Sequence, residues 1–147
     1  MKTLKQFSPR IEIYSIDEAF VLISRPSNND LRSWAHKVRA LVRQSLGLSI
    51  AIGIGAGKVQ AKLANHLAKT IPTHAGIFDI QTTKDPDTWL EQVAIEDVWG
   101  IGEKLAQRCR LQGIKNARQL RDMPSNKLQA KLGVIGLRLQ HELRGEK

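Results

Sequence analysis

Asp17 and Glu18 are adjacent carboxylates within Tyr14–Phe20 (YSIDEAF), between two short stretches that read as strands, Arg10–Ser15 and Ala19–Ser24. Two neighbouring acids repel. On a rigid strand platform that crowding is relieved by a cation, and magnesium, which takes oxygen ligands and keeps waters and substrate phosphates, suits such a pair. The same residues also suit a polar β-turn. Both readings stand on these residues alone.

A second group that could do chemistry is cationic. At about 100° per residue, Lys58, Lys62 and Lys69 fall within roughly 40° of one another on a helix, with Leu63, Ala64, Leu67 and Ala68 on the other side. Such a stripe could line an anionic site or form a solvated face. Gly53, Gly55 and Gly57 precede it. They miss the Walker pattern, because residue 52 is Ile and residue 59 is Val. They also miss the dinucleotide fingerprint, whose third glycine would fall at Lys58. Close backbone packing is the other use for these glycines. A further cluster, Val98–Lys104 (VWGIGEK), leads into a basic helix and then Gly113-Ile114. An apolar residue, Gly-x-Gly, a helix and Gly-Ile form the pattern of a helix-hairpin-helix. In that motif Gly100 and Gly102 let backbone N–H groups reach a phosphate at a helix N-terminus, with Lys104 beside it. Contacts of this type are independent of base sequence and sensitive to salt.

The elements that must position these groups follow from period and punctuation. Ile11, Ile13 and Ser15 alternate as in a strand, and Ala19–Ser24 is a short apolar run. Asn28 or Asn29 can cap a helix whose apolar residues, from Leu31 to Ser45, recur at helical spacing up to a stop at Gly47. Leu48–Ile54 reads as a buried strand, residues 58–69 as a helix, and Gly76–Ile80 as a strand. The order β, β, α, β, α, β suits a mixed sheet with helices on one face. Past the polar stretch Thr82–Asp87 every segment reads as a short helix: Asp87–Val93, Glu103–Gln112, Ala117–Met123, Ser125–Leu132 and Val134–Leu143. Asp85 to Asp87 and Ser125 offer caps, and Gly113 and Gly133 offer stops. The fold class is α+β, with a first domain over 1–82 and a small all-α second domain over 83–147.

The chain has 147 residues with 41% hydrophobic content, enough for a packed core. Lys and Arg number 23 against 14 acids, a formal net charge of +9, with pI near 10.1. This favours an anionic partner, nucleic acid ahead of a membrane surface. Residues 103–131 hold eight basic residues (Lys104, Arg108, Arg110, Lys115, Arg118, Arg121, Lys127, Lys131) against two acids, Glu103 and Asp122. The anion-binding surface is therefore expected in the C-terminal half. Cys109 is the single cysteine, so no intrachain disulfide can form and a reducing compartment fits. With neither a signal peptide nor an apolar stretch of membrane length, a cytoplasmic location without membrane attachment is expected.

Together, the YSIDEAF segment, residues 52–65 (IGIGAGKVQAKLAN), Asp97–Gly102 (DVWGIG) and Glu142–Glu146 (ELRGE) resemble the Y-family (translesion) DNA polymerases, most closely the UmuC branch. The match runs over nearly the whole chain in the right order. The resemblance implies an incomplete polymerase palm over 1–82 and a helical thumb with a helix-hairpin-helix over 83–147. It implies that palm carboxylates hold two magnesium ions, which activate the primer 3′-hydroxyl and neutralise the incoming triphosphate. By motif, Asp17 is then a ligand shared by both ions and Glu18 the acid nearest the primer end. Lys69 contacts the nucleotide's triphosphate, and Gly100, Gly102 and Lys104 grip the DNA backbone. Lys58 and Lys62, on the same stripe as Lys69, are candidate DNA contacts. The implied partners are primer–template DNA, a deoxynucleoside triphosphate, and in this branch a UmuD-type subunit and the recombinase filament.

The resemblance also has gaps. The family's first strand carries Asp-x-Asp-Phe/Tyr, and nothing of that kind is found before Met1. The fingers and the little finger are also missing from these residues. The two-metal site is thus expected to be incomplete and nucleotide transfer by the 147 residues alone negligible, with an unpaired sheet edge as a liability. The implied function is part of a UmuC-type translesion polymerase, in DNA repair and SOS mutagenesis. The alternative is a non-catalytic, sequence-independent DNA-binding module.

Overall fold

The computed structural model describes residues 11–13, 19–21, 31–71 and 76–145. They belong to two compact units, Met1–Ile52 and Gly53–Lys147. The expected 82/83 boundary concerns palm and thumb. The boundary between compact units falls earlier, because the glycine loop at 53–57 is tied by hydrogen bonds to the far end of the same unit, as described below.

In the first unit, β1 (Ile11–Ile13) and β2 (Ala19–Val21) pair antiparallel, with Ile11 opposite Val21, Glu12 opposite Phe20 and Ile13 opposite Ala19. Helix α1 (Leu31–Leu46) buries Ala35, Val38 and Val42, which the 3.6-residue period brings to one face. It stops at Gly47, whose φ of 67° suits glycine and whose N–H donates to the Arg43 carbonyl at 2.9 Å. Asn28 and Asn29 lie outside the described residues. The strand expected over Leu48–Ile54 is shorter: β3 is Ile52–Ile54. Leu48 is 56% exposed, and the Ile50 carbonyl accepts from Arg39 Nε at 2.7 Å. A side chain thus occupies a group that a ladder would use.

In the second unit β3 pairs with β4 (Ile77–Asp79) across the connecting helix α2 (Lys58–Thr70), and Ile80 N–H extends the pairing to the Ile54 carbonyl at 3.0 Å. The described strands thus form two two-stranded ladders, not one mixed sheet. All of β4 is buried. Phe78 packs edge-on against Trp89, with centroids 5.7 Å apart. Helix α3 (Pro86–Glu91) opens with Pro after Asp85, whose carboxylate accepts from Thr88 N–H and from Thr88 Oγ1 at 2.6 Å.

A 3₁₀ turn (Ile95–Asp97) then leads through the hairpin into α4 (Glu103–Leu111), followed by α5 (Ala117–Asp122) and α6 (Ser125–Leu143). Glycine at 133, with φ 72° and ψ −159°, breaks α6 into the two segments read from the sequence. Two further details differ from expectation. Asn116, not singled out by pattern, caps α5 by accepting from Gln119 N–H at 2.9 Å. Ser125 caps nothing: it is the first helical residue of α6, and its hydroxyl donates instead to Gln140 Oε1 at 2.8 Å. The core of this unit centres on Leu63, Leu67, Ile77, Ile95, Ile114, Leu120, Leu128 and Leu139, each under 2% exposed. Full burial of such a side chain contributes about 1.5–3 kcal/mol.

Candidate nucleic-acid interface

Helix α2 buries Val59, Leu63, Ala64, Leu67 and Ala68, which leaves its lysines on the other side. Lys62 and Lys69 line one cleft of about 170 Å³ with Asn65, His66, Asp97 and Trp99. Its floor is the 62, 65, 66, 69 face of α2, and its other wall is the segment just before Gly100. His66 Nε2 lies 3.8 Å from Asp97 Oδ2 across it. Lys58, half-buried at the start of α2, is not among the lining residues.

The glycine loop before α2 is occupied by packing. An ideal Cβ on Gly53 would fall 2.1 Å from Asn65 N and 2.4 Å from Ala61 O, so β3 and α2 touch backbone to backbone there. Ala56 N–H donates to Gln60 Oε1 at 2.9 Å, while Gln60 Nε2 donates to the Leu143 carbonyl at 3.0 Å. One buried side chain thus ties the loop to the last turn of α6. Of the two uses open to these glycines, the geometry supports close packing.

The two hairpin glycines differ. Gly100 has φ +97°, and a Cβ there would sit 3.0 Å from Leu139 Cδ2, so this position is reserved for glycine by the fold itself. Gly102 has φ −83°, meets nothing within 4 Å, and precedes α4 without any side-chain cap. Its neighbours Glu103 and Lys104 are exposed. The N-terminus of α4 is therefore uncapped, with open space at Gly102 for an anion.

The basic excess of residues 103–131 is divided by the fold. Arg118 pairs with Glu91, with Asp87 at 3.7 Å and with Asp122 at 3.5 Å. Arg121 pairs with Asp87, and with Asp122 at 2.8 Å. Hydrogen bonding to Glu91 raises the Arg118 pKa, and hydrogen bonding to Asp122 raises that of Arg121. The Asp122 carboxyl is held down, chiefly by Arg121. Arg110 meets Glu96 at 2.5 Å. These pairs fasten α3 to α5 and the 3₁₀ turn to α4. Apart from Asp122, their acids come from residues 87–96, outside the window counted in the sequence.

The impB/mucB/samB family model matches residues 1–66. UmuC of Salmonella typhimurium is 36% identical over 148 residues, covering 99% of this chain. Over nearly its whole length the chain is similar to UmuC. Two solved structures extend the likeness to the fold. The insertion ternary complex of Dbh DNA polymerase matches with a TM-score of 0.74 at 22% identity, over 100% of this chain and 42% of that one. DinB from Sulfolobus solfataricus matches with a TM-score of 0.70 at 24% identity, over 98% and 42%. The UmuC-like chain spans about a third (35%) of the length of the Salmonella relative.

Asp17 and Glu18 lie outside the described residues, and among the described residues no group of three or more His, Cys, Asp and Glu could hold a metal ion. No helix among the described residues is long and apolar enough to cross a membrane. Sequence reading of this UmuC-like chain missed Gln60 and Gln140. Gln140, fully buried, donates through Nε2 to the carbonyls of Leu120 (3.1 Å), Arg121 (3.2 Å) and Met123 (2.5 Å). A glutamine carries no apolar period, so pattern reading passes over it.

Proposed function

We propose that this chain supplies palm and thumb elements, divided near residues 82/83, of a UmuC-type translesion DNA polymerase that acts in DNA repair and SOS mutagenesis. The observation that carries this reading is the 36% identity to UmuC across 99% of the chain. Motif by motif, Asp17 and Glu18 are assigned to divalent-metal binding, with magnesium the expected ion. That ion would neutralise phosphate charge and lower the pKa of an attacking hydroxyl. Lys69, with Lys62 beside it in the cleft, is assigned to the triphosphate. Lys58 is assigned to DNA, as is Lys62 where the cleft opens. Gly100, Gly102 and Lys104 are assigned to a helix-hairpin-helix contact with the DNA backbone, the open N-terminus of α4 providing the donors. A deoxynucleoside triphosphate and primer–template DNA are the proposed ligands, and a UmuD-type subunit and the recombinase filament the proposed partners.

Two measurements test this. Fluorescence anisotropy with a labelled primer–template should give weak binding that is independent of sequence and falls as salt rises, and Gly102→Val should weaken it without changing the melting temperature. Mn²⁺ binding followed by electron paramagnetic resonance should be lost in Asp17→Asn/Glu18→Gln. Absence of DNA binding at low salt would refute the thumb assignment, and Mn²⁺ binding unaffected by the double change would refute the metal assignment. A non-catalytic DNA-binding module is the second reading, favoured by the open α4 N-terminus. It predicts DNA binding with no Mn²⁺ site at Asp17 and Glu18.

A further inference from the structure

We propose that Lys104 and Arg108 of α4 together with Lys127 and Lys131 of α6 form one continuous phosphate-binding surface, which carries a nucleic-acid backbone past the hairpin and onto α6. The proposal rests on the hairpin reading above and extends it to residues outside the hairpin.

The fold sorts the charges of this region into two sets. Of the eight basic residues in 103–131, Arg110, Arg118 and Arg121 are matched to Glu96, Glu91, Asp87 and Asp122. Lys104, Arg108, Lys127 and Lys131 are exposed and, among the described residues, have no acidic partner. Lys104 and Arg108 lie four residues apart on α4, and Lys127 and Lys131 four apart on α6. Each pair therefore shares a helix face, with Cβ atoms about 6 Å apart.

The two faces meet: Arg108 Nη2 donates to the Lys131 carbonyl at 2.8 Å. That bond leaves the guanidinium charge intact, fixes where it sits and joins the two stripes. Residues 125–132 contain no acid, and Glu103 is the single acid of α4. The surface begins two residues beyond Gly102, at the uncapped N-terminus of α4. A phosphate held there would have its neighbours along the strand within reach of the lysines. Four flexible or fixed cations without any recognition pocket suit a repeating polyanion and carry no base readout.

The test is the salt dependence of duplex-DNA binding by the full 147-residue chain. Lys127→Gln/Lys131→Gln should weaken binding and make the slope of log K against log salt shallower by nearly 2, about 0.9 for each phosphate that is no longer neutralised. Lys84→Gln/Lys115→Gln, which removes the same charge elsewhere, should leave the slope close to that of the unaltered chain. In that chain, bound DNA should also protect Lys127 and Lys131 from acetylation, a readout independent of any change in folding. If the two double variants have equal slopes, or the two lysines stay unprotected, while Gly102→Val still weakens binding, the surface is refuted and the hairpin reading stands. If the unaltered chain binds no duplex at low salt, both fall.

Discussion

Replacing Gln140 by leucine removes a buried polar hub and leaves its volume nearly unchanged. The side-chain amide has two N–H bonds and faces three carbonyls, so two well-made bonds, one of them shared, describe its donor side. Arg121 O keeps a second donor in Arg144 Nε at 3.0 Å, and Met123 O keeps a long contact to Arg144 Nη2 at 3.5 Å. Leu120 O has no such substitute. Losing the two donor bonds at roughly 1 kcal/mol each, with about 1–3 kcal/mol for a carbonyl left buried without a donor, gives a destabilisation of about 3–5 kcal/mol. In a unit of this size that corresponds to a fall in melting temperature on the order of 15 °C or more. Urea unfolding followed by far-UV circular dichroism is the assay: the midpoint should fall with the slope unchanged. Gln140→Glu should cost more at pH 7, because a carboxylate can only accept. Part of that cost should vanish in acid, where the protonated group regains one donor. A Gln140→Leu midpoint within about 0.5 kcal/mol of the unaltered protein would refute the assignment of Gln140 as a hub.

Three further outcomes are expected. Gly53→Ala should destabilise the protein by about 3 kcal/mol or more, because the new Cβ meets backbone at 2.1 Å, whereas Gly102→Ala meets nothing and should stay within about 0.5 kcal/mol in the same urea titration. Burial pushes the Cys109 thiol up despite Arg108 and Arg110 nearby, so a colorimetric disulfide reagent at pH 8 should react with it only after urea unfolding. The folded-state pKa of Asp122 is depressed, so its contribution is complete above the ordinary aspartate value of about 3.9 and is lost as pH falls through the lower folded value. Asp122→Asn should accordingly flatten the acid limb of a plot of melting temperature against pH.

Much of this architecture is written locally in the chain. The apolar period of residues 35, 38 and 42, the stop at Gly47, the cap at Asp85 and the break at Gly133 all act within a few residues, and each is found where its chemistry predicts. The misreadings involve partners distant in sequence. Residues 48–51 are apolar enough for a strand, but a side chain eleven positions back occupies the Ile50 carbonyl. Ser125 has the right residue type for a cap, but its hydroxyl is taken by Gln140, fifteen positions on. The window count at 103–131 sees eight cations and cannot see that Asp87 and Glu91 fold back onto Arg118 and Arg121. The cleft was half legible: helical spacing places Lys62 and Lys69 together, but only tertiary structure brings Asp97 and Trp99 opposite them.

The bond from Gln60 to the Leu143 carbonyl spans 83 positions, and this separation bears on the order in which the unit is built. Closing so long a loop costs on the order of 4 kcal/mol of chain entropy, and no local contact offsets that cost before the last turn of α6 exists. During synthesis at roughly 5–20 residues per second, the glycine loop emerges about 4–17 s before Leu143. Through that interval the β3–α2–β4 segment has its own backbone contacts but lacks the acceptor for its buried glutamine. The buried Gln60 amide therefore gains its acceptor only once the last turn of α6 has emerged, which makes this bond one of the latest the unit can form.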